Sequence, residues 1–171
     1  MLNADFSNAS GTAGAMQFYT ISREDRTRTS GPGLRAFNQI ADWIGLNVAE
    51  RIAILGSPPH STYSRWMKSA RERHPMILPL DTLLQISALL RIYKALTVLF
   101  EDENQALGWL KRPHQAPLFA GTSPLACMLT GGHDGLMAVR QCLDAWRANT
   151  TGSGGLECQF ESVIANDLHF I

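Results

Sequence analysis

The stretch LDTLLQISALLRIYKALTVLF, residues 80–100, limits what this chain can fold into more than any other. Its apolar side chains Leu83, Leu84, Ile86, Leu89, Leu90, Ile92, Tyr93, Leu96, Leu99 and Phe100 recur at helical spacing but cover more than one stripe. A helix so widely apolar must be covered on two sides. Either it is central in its domain or it also packs on a second copy of the chain. No segment shows sustained period-two alternation, so the expected class is all-α.

On the N-terminal side the text changes character at Leu34. Residues 1–33 are small, polar and rich in Gly, Ser and Thr; they bury little and read as a disordered arm. Arg23, Arg26 and Arg28 lie in it, either touching DNA phosphates or solvated in a tail. LRAFNQIADWIGL then places Phe37, Ile40, Ala41 and Ile44 at helical spacing, with Gly45 as the stop. Asn47 and Glu50 form a capping-box pattern ahead of a helix with Val48, Ile52 and Leu55 as its expected buried stripe. Gly56-Ser57-Pro58-Pro59 signals a sharp turn. The next helix has Tyr63, Trp66, Met67 and Ala70 on one face, and Ser61, Ser64, Arg65, Lys68 and Arg71 on the other, until His74-Pro75 ends it.

On the C-terminal side, Asp102 or Glu103 opens a short helix through Trp109 and Leu110. The segment WLKRPHQAPLFAGTSPLACMLTGG, residues 109–132, reads as an apolar, proline-pinned elbow. Pro113 stops one helix, Ser123 caps the next with Pro124 at its first position, and Gly131 ends that one. Trp109, Leu118 and Phe119 are expected to pin the elbow to the core. A last amphipathic helix presents Leu136, Val139, Leu143 and Trp146 inward. Residues 149–171 begin as a flexible linker and form a C-terminal extension.

The composition excludes several functions. Net charge is zero, so no global field draws the chain to nucleic acid or membrane. The halves differ: nine Lys/Arg against six Asp/Glu up to Leu80, then six against nine. That asymmetry allows a nucleic-acid face in the first half and a different partner in the second. Cys127, Cys142 and Cys158 form no CxxC pair, which suggests neither a disulfide framework nor a zinc site and fits a reducing cytosol. The five histidines have no ligand spacing, so no metal is expected. His133-Asp134 with Cys127 and Cys142 reads as a polar loop and two small buried cysteines, not as a nucleophile. There is no GxSxG, P-loop or dinucleotide motif, hence no expected cofactor or enzymatic activity. No apolar run looks long enough for a bilayer and no signal peptide is evident, so a cytoplasmic protein without membrane contact is expected.

The segment from Val48 to Lys68 has the form of a helix-turn-helix. A recognition helix needs short polar and basic side chains outward and an apolar face behind. Ser61, Thr62, Ser64, Arg65, Lys68 and Arg71 are the candidate DNA contacts, and Tyr63 and Trp66 the backing. An ordinary αα-hairpin with a solvated basic face has the same pattern, and the proline pair lengthens the turn.

The C-terminal half carries an ordered set of motifs: IYKAL followed by LF, WLKRP, GTSPLACMLTGG, and GLMAVRQCLDAW. Together they resemble the C-terminal domain of the Xre/MbcA/ParS antitoxins. Trp43, Glu50-Arg51, Leu55-Gly56, Thr62 and Arg65-Trp66 resemble the Xre-like N-terminal part, and the resemblance spans roughly residues 34–147. It implies a type II toxin–antitoxin role: neutralising a RES-domain, NAD-consuming toxin, dimerising, and binding the operon's own promoter DNA. It implies a helix-turn-helix domain at 34–78 and a toxin-binding domain at 79–148. Candidate toxin contacts are Arg112, Phe119, Arg140, Asp144 and Arg147. Trp109, Pro113, Ser123, Pro124, Gly131 and Trp146 are expected to be scaffold. The alternative is a stand-alone helix-turn-helix regulator with no toxin partner.

Overall fold

A computed structural model describes residues 22–150, with side chains to residue 148. The C-terminal extension and Cys158 lie outside this range, as does most of the N-terminal arm. Seven helices follow one another, and the described residues contain no strand. The architecture is all-α.

Helix α1 (Arg23–Ile44) starts well before Leu34, so the expected arm does not extend to residue 33. Three local causes are visible. Ser22 accepts a hydrogen bond from the Asp25 N–H (3.0 Å), and Glu24 and Asp25 complement the helix dipole in the first turn. Pro32 faces solvent, where its missing N–H disturbs no packing. Ser30 is fully buried: its hydroxyl donates to the Arg26 carbonyl and accepts from Leu78 N–H (2.9 Å). The polar residue that made this stretch look like an arm is thus the one that fastens it. Gly45, at φ 82°, ends α1.

Helix α2 (Val48–Ile54) has the full Asn47–Glu50 capping box. Its buried stripe is shifted from expectation. Val48 is 48% exposed, while Leu46, Ile54 and Leu55 are buried. Leu46, just ahead of the helix, is buried instead. Arg51 ties α2 to α1 through Asp42 (2.6 Å) and the Leu46 carbonyl (2.9 Å). Helix α3 (His60–Arg71) buries Tyr63, Trp66 and Ala70 against α1.

Helix α4 (Leu80–Leu99) is central, as its width of apolar surface demanded: α1 packs on one side and α7 on another. By length and composition alone it could cross a membrane, contrary to the reading of the sequence, but half of that span is buried inside the protein. Helices α5 (Glu103–Lys111), α6 (Pro124–Thr130) and α7 (Gly132–Thr150) complete the chain. Only Gly131 separates α6 from α7. The two cross so closely that a Cβ on Gly135 would run into the Cys127 carbonyl oxygen. Helix α2 also packs on α6 and α7, so the segments 34–78 and 79–148 share one hydrophobic core. Burying residues of this kind contributes roughly 1.5–3 kcal/mol per large apolar side chain.

Two candidate binding surfaces

The first surface is the outward face of α3. Ser61, Ser64, Arg65, Lys68 and Arg71 are exposed, together with His60, while Thr62 is half-buried between that face and the core. Twelve residues of helix extend this face over about 18 Å. Ser64 Oγ lies 3.4 Å from His60 Nδ1, a contact within the first turn. Arg65, Lys68 and Arg71 have no carboxylate partner among the described residues, whereas Arg28 and Arg51 are each paired with an aspartate. The chain therefore spends some arginines on its own fold and leaves those of α3 to solvent.

The turn behind this face is held from outside. Gly56 has φ 88°, and a Cβ there would meet Gln85 Oε1 at 2.8 Å. Thr82 Oγ donates to the Leu55 carbonyl (3.4 Å). Gln85 is 5% exposed, and its Oε1 has no hydrogen-bond partner. Sequence reasoning missed Thr82 and Gln85. The available signal was two polar residues at i and i+3 that are buried, on the side of α4 that meets the turn.

The second surface spans the elbow and α7. Trp109 is the hub of an aromatic cluster, with ring centroids 6.1 Å from Phe119, 6.4 Å from Phe100, 5.3 Å from His114 and 6.0 Å from Trp146. The elbow closes on itself. His114 N–H donates to the Thr122 carbonyl (3.0 Å), and Gly121 N–H donates back to the His114 carbonyl (2.9 Å). His114 Nε2 lies 2.8 Å from the Trp109 carbonyl oxygen. His114, passed over as one of five scattered histidines, is a structural staple. Ser123 caps α6 by accepting from Ala126 N–H (3.1 Å), with Pro124 buried at the first turn.

Two expectations for this surface change. Phe119, expected as a toxin contact, is only 2% exposed and belongs to the aromatic core of the elbow. Leu118, expected to be pinned inward, is 40% exposed instead. The tight turn at Ala120 and Gly121 can direct only one of these neighbours inward, and the larger ring fills the space beside Trp109. Arg140, Asp144 and Arg147 form a row along α7, with Asp144 between the two guanidinium groups at 3.5 and 3.8 Å. All three are partly accessible. Arg112 and Pro113 are exposed at the end of α5, where the Arg112 guanidinium lies over Gly108. Cys127 is half-buried and Cys142 is buried.

The fold and these two faces define a helical protein with a binding module at its C-terminal end, and comparison with known proteins names that module. Residues 95–148 match the antitoxin Xre/MbcA/ParS C-terminal toxin-binding domain. Over 114 residues the chain is 41% identical to the uncharacterized protein y4oB of Sinorhizobium fredii (strain NBRC 101917 / NGR234), an alignment that covers 67% of this chain and 83% of that protein. The chain belongs to the family of that rhizobial protein and carries the Xre/MbcA/ParS antitoxin domain. The matched span begins in the last turns of α4 and includes the aromatic cluster, the elbow and the α7 row.

Proposed function

We propose that this protein is the antitoxin of a type II toxin–antitoxin pair. It binds a RES-domain, NAD-consuming toxin stoichiometrically and occludes its active-site cleft. The observation that carries this reading is the toxin-binding domain at residues 95–148, which coincides with a self-closed, aromatic-packed elbow. A rigid surface suits such a task because little ordering entropy is lost on binding. The contacts lie on the accessible side of the elbow and α7: Arg112, Arg140, Asp144 and Arg147. Phe119 shapes this surface from beneath.

In the same reading residues 34–78 bind the operon's promoter as a dimer in the cytoplasm, through Ser61, Ser64, Arg65, Lys68 and Arg71. The support is the run of cations on α3 that have no carboxylate partner among the described residues. Toxin capture is tested by co-expressing the chain with the toxin encoded beside it: growth is restored and the two proteins co-purify. Continued killing with no complex refutes the reading. The double variant Arg140→Glu/Arg147→Glu is expected to lose the complex while keeping the fold.

A stand-alone regulator is the second reading, favoured by that same α3 face. A neighbouring reading frame with no RES-type product, combined with promoter binding by the isolated protein, would select it.

A further inference from the structure

The ends of the first three helices share a closure. After α1, Gly45 stands in the left-handed region (φ 82°) and Leu46 N–H reaches back to the Ala41 carbonyl. After α2, Gly56 does the same (φ 88°), with Ser57 N–H on Ile52. After α3, His74 N–H reaches the Ser69 carbonyl, but the left-handed residue is Arg73, at φ 56°. Glycine takes this backbone position without steric cost, whereas a side chain there is strained. The chain uses glycine twice and declines it the third time.

The fold makes no use of the Arg73 side chain. It is exposed and, among the described residues, has no ion pair, side-chain hydrogen bond or ring contact. The adjacent Glu72 carboxylate lies against His74 instead, at 3.3 Å. A cation near a helix C-terminus gains something from the dipole, but Lys68 and Arg71 already occupy the last turn of α3. A third cation with no carboxylate partner among the described residues, set on strained backbone just past them, suits a polyanion lying alongside.

We propose that Arg73 grips a DNA phosphate at the flank of the α3 face, and so adds affinity without sequence information. This rests on the reading of α3 as a DNA-contacting helix. In that reading the exposed side chains Ser61, Ser64, Arg65 and Lys68 meet the DNA, and Arg73, just past the end of α3, holds the backbone beside them.

The test uses the full chain, a promoter fragment and an unrelated duplex of equal length, titrated across a salt series. The variants are Arg73→Gly and Arg73→Asn, both of which accept left-handed backbone. Each is expected to melt at or above the parent temperature. Each should bind both duplexes about three- to tenfold more weakly, with the slope of log affinity against log salt reduced by about 0.9. The ratio of promoter to unrelated affinity should stay the same. If the parent binds DNA and the variants match it in affinity and slope, Arg73 touches no phosphate. A changed ratio would make it a base reader, and a lowered melting temperature would make it a structural residue; each overturns the proposal. A parent that binds neither duplex removes the DNA reading itself.

Discussion

The turn between α2 and α3 and the elbow between α5 and α6 are both rich in proline and glycine. Each also drives a residue with a side chain to positive φ, Ser57 at 55° and Ala120 at 47°. They are held in opposite ways. The elbow is closed by its own backbone, with reciprocal bonds between His114 and the pair Gly121 and Thr122, and with its own Phe119 as a plug. The turn's own backbone bond, Ser57 N–H to the Ile52 carbonyl, closes only the end of α2, and α4 side chains lie against it, Thr82 on the Leu55 carbonyl and Gln85 beside Gly56. A self-closed loop keeps its shape when its surroundings move. A buttressed turn keeps its shape only while its support stays in place, so the α3 face depends on α4 in a way the elbow does not.

Substitutions can break or sharpen this contrast. The largest effect is expected for Phe119→Ala, which removes the plug: roughly 3–5 kcal/mol of stability should be lost in urea unfolding. A loss below about 1 kcal/mol would show that the backbone bonds suffice without the plug. Next comes Gly56→Ala, which sets a methyl group against Gln85 on left-handed backbone and should cost about 2 kcal/mol. Because the strain falls on the buttress, promoter binding should weaken while toxin capture, assayed by co-purification, persists. Parallel losses of both would mean that the two connections are not separately held. Ser123→Ala removes the α6 cap and should lower stability by about 1 kcal/mol, read as a lower melting temperature. The smallest effect of this set, and a favourable one, is expected for Ala120→Gly. It relieves left-handed strain and should raise stability by about 0.5 kcal/mol, the larger entropy of the unfolded chain offsetting part of the gain.

The helices with strong periodicity were legible from the text. Phe37, Ile40, Ala41 and Ile44 are buried as their spacing demands, as are Leu136, Val139 and Leu143. The Asn47 box and the Ser123-Pro124 start are local chemistry and are present as read. What escaped depends on distant partners. Ser30 looks like an arm residue until Leu78 donates to it. Gln85 looks like an interruption until Gly56 lies against it. Phe119 and Leu118 are adjacent and similarly apolar, and only the position of Trp109 decides which one turns inward. The α3 face was legible as a pattern of polar and basic residues, but Arg73 was not, because its significance lies in a backbone angle. The resemblance pointed only to the last helices and the elbow as a region; the α7 row, one carboxylate shared by two guanidinium groups, emerges from the fold.

The pairing of Trp109 with Trp146 has a use outside energetics. Two indoles 6.0 Å apart with planes inclined at 52° are near and skewed enough for their electronic transitions to couple. Such a pair is expected to contribute a couplet of opposite-signed bands to the circular dichroism, which weakens when the rings separate. One ring stands at the entrance to the elbow and the other near the end of α7, so the protein carries its own spectroscopic gauge of whether those two parts are seated together.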